Sequence, residues 1–183
     1  MYSQECDYSF LIKAGRASDN DSWGNFGGGG GGEWWWDSGP QITVGLEKTL
    51  NTKFSALLII SYSWFKYNDH LFPYDNTNSG YKRYFDVMSN IKYNIWVFYL
   101  NLGTGFSHQS SDEIRFLDST QYHYTNAAKY PSKNKFVFSG MFSLGLDINI
   151  YDRFSIIAEG NLFFREYLSS SWQIGIKYSV PEL

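Results

Sequence analysis

Charge, cysteine and proline are all scarce in this sequence. Charged residues are 18% of 183, beside one Cys and four Pro. The lone thiol, Cys6, excludes an intrachain disulfide framework. Fifteen Lys and Arg against 18 Asp and Glu give a net charge of −3, and the basic residues form no cluster, so a nucleic-acid partner is not expected. No apolar run approaches the roughly 18 residues that a transmembrane helix needs. The longest, Ala56 to Ile60, is far too short. A helical membrane protein is thereby excluded, whereas a membrane barrel is not, because its signal is spread over short alternating segments. Met1 to Asp7 is polar and lacks the apolar core of a secretory signal, so the numbering is expected to start at or near a mature end. His70, His108 and His123 show no metal-ligand spacing, and Asp19, Asp21 and Asp37 are too loosely strung for calcium. No metal and no other cofactor is expected.

Aromatic residues, by contrast, reach 20%, with 15 Tyr, 15 Phe and 7 Trp. Such residues favour pleated surfaces and interfaces. Strict alternation predicts eight strands, roughly 8–16, 40–48, 53–67, 84–93, 96–108, 136–149, 153–166 and 172–180. The clearest places Phe54, Ala56, Leu58, Ile60, Tyr62 and Trp64 on one face, with Ser55, Ser61 and Ser63 on the other. The last does the same with Trp172, Ile174, Ile176, Tyr178 and Val180 against Gln173, Gly175, Lys177 and Ser179.

Extending one face through all eight strands gives 42 positions without a charge, where the composition would put roughly seven or eight. The opposite face reads as small and polar, and carries Lys13, Glu47, Asp86, Lys92, Asp147, Glu159, Arg165 and Lys177, four of each sign. The interior of an eight-stranded barrel is barely wide enough for side chains, so the bulky face belongs outside, in lipid. Lipid tolerates no unpaired backbone, so the sheet must close. The expected fold is all-β: an eight-stranded antiparallel up-and-down transmembrane barrel, one domain over 1–183. The eight inward charges are expected to pair as a plug, since buried charges survive only when partnered. An ion pathway is the alternative reading of the same residues, and a soluble ligand-binding barrel is the alternative to the membrane.

Connections alternate in length. Lys48 to Lys53, Asn94-Ile95 and Asn149 to Arg153 are short, while 18–39, 67–83 and 109–135 are long and 167–171 is brief. Short turns at one end and long loops at the other is the asymmetry of membrane barrels, and it puts the short turns and both termini in the periplasm. Gly45 to Ser55 aligns without gaps on Gly145 to Ser155, and Asn90 to Trp96 is a shortened relative, so the repeat unit is a hairpin.

The pattern resembles the small outer-membrane barrels of the OmpX and OmpA-membrane-domain type, often described as porin-family proteins, over nearly the whole chain. Its sharpest motif is Gln173-Ile-Gly175-Ile-Lys-Tyr178-Ser-Val180, similar to the assembly signal that ends such barrels. The resemblance implies a Gram-negative outer membrane, recognition by the barrel-assembly machinery, and outer-membrane lipids and lipopolysaccharide as surroundings. It does not imply peptidoglycan binding, because the sequence stops at the eighth strand, before any such domain.

Function is then expected in the loops, as a non-enzymatic surface contact with a protein partner in the outer membrane or at the cell surface, or as an accessory subunit of a larger complex. Six glycines, 27–32, are followed by neither a Lys-Ser/Thr pair nor a helix, and so make a hinge and not a phosphate loop. Trp34, Trp35 and Trp36 follow; they mark an interfacial girdle or a contact platform. Tyr122 and Tyr124 in the third loop are further contact candidates, and its Lys129, Lys133 and Lys135 could meet lipopolysaccharide phosphates. One constellation has enzymatic character. His108 and Ser110 share a strand face beside Asp112 and Glu113, which vaguely resembles the lipid A deacylases, where a His activates a Ser that attacks an ester. Ser111 stands where that family has Asn, and the motif lies far from the C-terminus, so the chain is read as no enzyme.

Overall fold

The computed structural model describes residues 8–19, 37–66, 81–111, 114–115, 129–130, 132–166 and 168–180. Among the described residues ten strands form: β1 Tyr8–Asp19, β2 Asp37–Thr49, β3 Phe54–Lys66, β4 Tyr81–Ile95, β5 Phe98–Ser111, β6 Ile114–Arg115, β7 Lys129–Tyr130, β8 Lys133–Tyr151, β9 Phe154–Phe164 and β10 Leu168–Val180. Eight of them close into a barrel in the order β1-β10-β9-β8-β5-β4-β3-β2, and every neighbouring pair is antiparallel. Closure between β1 and β10 runs from Tyr8↔Val180 to Asp19↔Ser169 and leaves no edge there. The short β6 and β7 pair only with each other, Ile114↔Tyr130 and Arg115↔Lys129, inside the long connection from β5 to β8.

Alternation decides which way each side chain points. In β3, Ser55, Leu57, Ile59, Ser61, Ser63 and Phe65 are buried, while Phe54, Leu58, Ile60 and Tyr62 are exposed. The same parity holds in β4, where Asp86, Met88, Asn90 and Lys92 are buried and Phe85, Val87 and Ile91 are exposed. The interior is not uniformly small and polar, however. Leu11, Leu57, Ile59, Met88, Tyr99, Met141, Ile157 and Phe163 form an apolar cluster inside it. Close packing requires the space between the charged groups to be filled, and side chains without hydrogen-bonding demands fill it at least cost.

At the loop end the strands run past their expected limits. β1 reaches Asp19, β2 starts at Asp37, β4 at Tyr81 and β8 at Lys133. Backbone pairing continues there beyond the apolar alternation that signalled the strands. β8 also outruns one neighbour. Its residues 133–139 pair with β5 on one side, while the ladder to β9 begins only at Gly140↔Phe164. A raised β5–β8 ladder therefore stands beside a notch over β9 and β10.

At the turn end, the gapless repeat yields two different turns. Asn51 accepts backbone hydrogen bonds from Lys53 and Phe54, both at 2.9 Å, and closes a four-residue turn between Thr49 and Phe54. Tyr151, aligned with Asn51, lacks a short polar side chain able to do this. It extends β8 instead, through a register shift between Asn149 and Tyr151, and leaves the two-residue turn Asp152-Arg153. The third hairpin corrects the expected start of the fifth strand. Ile95 pairs with Phe98, so Trp96 and Val97 form the turn and Trp96 is not a strand residue. Trp96 has φ of 60°, and no other described non-glycine residue has positive φ. Positive φ at the first turn residue alone is the pattern in which glycine is preferred. Placing a bulky residue there costs about 1–3 kcal/mol.

Candidate functional site

The inward charges assemble in three tiers. Nearest the turns, Lys92 donates to Glu47 at 3.2 Å and to Asp147 at 2.8 Å, while Lys177 binds Asp147 and lies 3.9 Å from Glu47. The repeat explains this pair of carboxylates: Glu47 and Asp147 hold equivalent places two residues after Gly45 and Gly145. In the middle tier, Lys13 binds Glu159, and the Tyr99 hydroxyl donates to the same carboxylate at 2.7 Å. The Lys92 ammonium also lies 4.5 Å from the centre of the Tyr99 ring, so Tyr99 joins the two tiers. Gly145 makes room for it, since a Cβ there would come within 2.3 Å of the Tyr99 ring.

Towards the loops, Asp86 is fully enclosed. Arg165 donates to it through Nε at 3.1 Å and Nη2 at 2.5 Å, Ser61 donates at 3.0 Å, and Ser107 donates to its other oxygen. Arg165 also donates to Ser169 at 2.7 Å, and its guanidinium stacks 4.1 Å from the Tyr84 ring centre and 4.4 Å from that of Phe163. Above this tier Phe65 and Tyr84 meet edge to face at 5.9 Å and, with Ala17, fill the mouth. All eight inward charges are thus placed against opposite charges, and apolar, aromatic and uncharged polar side chains pack between them. Tyr99, Tyr84 and Ser107 were missed by the sequence reading. Strand parity puts each of them inside, but aromatic identity points Tyr99 and Tyr84 to the wall.

The other candidates do not converge. His108 and Ser110 both face outward on β5 and show no hydrogen bond to each other; the His108 ring instead lies 4.7 Å from that of Phe136. A nucleophile without its base is not activated. Purified protein is therefore expected to release no fatty acid from lipopolysaccharide, and release that Ser110→Ala abolishes would reverse this reading. Trp34, Trp35, Trp36, Tyr122 and Tyr124 lie outside the described residues, as do Asp112 and Glu113. Among the described residues no group of three His, Cys, Asp or Glu side chains could hold a metal ion.

The wall decides the environment. Phe10, Ile12, Leu102, Phe138, Ile156 and Ile174 are all exposed, and such residues cover the barrel on every side. A continuous apolar belt of this kind around a charged interior needs lipid to cover it. The fold is that of the small outer-membrane β-barrels. Ail of Yersinia pestis, solved with the heparin analogue sucrose octasulfate, shares it at 14% identity and TM-score 0.55, over 95% of this chain and 99% of that one. Neisserial surface protein A aligns at 8% identity and TM-score 0.56, over 95% and 97% of the two chains. OprG of Pseudomonas aeruginosa aligns at 11% and 0.51, over 95% and 96%. No protein family matches the sequence itself, and no curated protein does either. The barrel thus shares its architecture with these proteins at sequence identities too low to carry a function across.

Proposed function

We propose that this barrel is a non-enzymatic integral protein of a Gram-negative outer membrane, in which a plugged cylinder holds surface segments for contact with another molecule. The observation that carries this reading is the filled interior. Three tiers of paired charge, packed among apolar and uncharged polar side chains, occupy the cylinder from Lys92 to Phe65 and Tyr84. An ion would have to break these buried pairs, a step opposed by desolvation.

What remains for function is the loop end. The raised β5–β8 ladder carries the third connection, within which β6 and β7 pair with each other. Arg16 and Arg83 face outward near the loop ends of β1 and β4, where lipopolysaccharide phosphates would lie, and guanidinium groups suit phosphate recognition. The contact is a protein of the outer membrane or the cell surface, or a larger membrane complex that the barrel joins as an accessory subunit.

The experiment has two arms. In planar bilayers the folded protein is expected to stay silent, and steady single-channel steps would overturn the plug. In a pull-down from native outer membranes, a partner is expected to be lost when residues 112–131 or 27–36 are replaced by short turns. Capture of the same partner by both replaced proteins would overturn the assignment to the loops.

A further inference from the structure

Two buried amides inside the barrel take no part in the charge tiers. Asn90 of β4 and Asn101 of β5 both point inward, at 2% and 0% exposure. Neither the oxygen nor the nitrogen of either carboxamide has a hydrogen-bond partner among the described residues. The polar groups beside them are engaged elsewhere. Lys92, paired with Asn101 across the β4–β5 ladder, donates to Glu47 and Asp147. Ser143, opposite Asn101 on β8, donates to Asn161, which donates in turn to Ser171. A hydrogen-bonded row thus crosses β8, β9 and β10 and stops one strand short of Asn101. An amide atom enclosed without a partner forfeits the hydrogen bonds it makes with water in the unfolded chain. Four such atoms lie on two adjacent strands. The backbone also makes room for one of them: a Cβ at Gly103, which pairs with Asn90, would collide with Asn90 Oδ1.

We infer that Asn90 and Asn101 hold an enclosed water between them, a hydration site built into the plug. The spacing suits it. Asn90 pairs with Gly103 and Asn101 with Lys92, so the two asparagines are diagonal neighbours across one ladder. Diagonal neighbours stand about 7–8 Å apart, a gap that two short side chains narrow and one water can bridge. The chemistry selects water over an ion. A carboxamide offers a donor and an acceptor and carries no charge. Every inward ion already faces its opposite, so the occupant is neutral and both donates and accepts. Leu57 pairs with Asn90 and Met141 with Gly103, and both are buried, which puts the amides beside the apolar cluster and away from bulk solvent.

The test is NMR of the isotope-labelled wild type in deuterated lipid nanodiscs, with the Asn90 and Asn101 side-chain amides assigned through the backbone. Both amides are expected to show cross-relaxation with water, of the sign given by a long-lived bound molecule. A cross-peak between the two amides with none to water would mean a direct amide–amide bond and overturn the proposal, as would amides that see neither. Stability gives an independent sign. Leu has the branching of Asn without its polar atoms. In a dry site Asn90→Leu or Asn101→Leu removes two orphaned atoms and should stabilise the barrel. With a shared water, each single replacement strips one partner and leaves the other amide short of a hydrogen bond. The folding equilibrium constant in vesicles is then expected to fall at least about five-fold, and the double replacement should recover most of that loss. Single variants more stable than the wild type would overturn the water.

Discussion

Asp86→Ala is expected to destabilise the barrel by about 3–5 kcal/mol, the cost of leaving one partner of a buried ion pair alone. Asp86 accepts from Arg165 twice, from Ser61 and from Ser107. With its carboxylate gone, the Arg165 guanidinium remains enclosed at 2% exposure between the Tyr84 and Phe163 rings. Removing both charges should cost much less. In Asp86→Leu/Arg165→Met the desolvation of both ions disappears, and apolar packing against Phe163 and Tyr84 can replace the pair. Urea unfolding from lipid vesicles of the wild type, Asp86→Leu, Arg165→Met and the double variant forms a cycle that isolates the coupling. A double variant as unstable as the sum of the singles would show that the tier contributes through shape, not charge.

Leu102→Arg is expected to cost about 2–4 kcal/mol in a bilayer, as a cation near the midplane of a barrel wall does. Leu102 is 63% exposed and faces outward between Ile91 of β4 and Phe142 of β8. On a soluble protein a surface change of this kind would alter stability by no more than about 0.5 kcal/mol. The same substitution at Phe136, closer to the loop end and beside the outward His108, should cost about 0–1 kcal/mol, because there the guanidinium reaches the interface. Unfolding from vesicles gives both values. A flat response between the two positions would mean that the wall does not cross the hydrocarbon core.

The eight inward charges show how far alternation reaches. Each sits opposite a run of Phe, Leu and Ile in its own strand, so its direction follows from the two-residue period alone. Which charges meet does not follow. Lys13 and Glu159 are separated by 146 positions and come from strands that are not neighbours. Their meeting depends on barrel closure and strand tilt, which no local pattern encodes. Tyr99 was harder still. Its parity points inward and its aromatic ring suggests the wall, and only the space left by Gly145 shows that the ring fits inside. His108 and Ser110 show the converse. Spacing put them on one face, but that face is the outer one, and the partner within reach is Phe136.

The sequence by itself determined that this chain is an eight-stranded barrel with its bulk outside, its charges inside and its long connections at one end. Those properties rest on a period of two and on the scarcity of charge, and both are local. The tertiary structure alone decided the rest. Closure sorted eight charges into three separate tiers and filled the gaps between them with Leu57, Ile59, Met88 and Met141, because a narrow cylinder must be packed and each buried ion must find its opposite. Register also left β8 taller than β9 and put Trp96 in a turn, because hydrogen-bonded pairing, and not side-chain pattern, fixes where each strand ends.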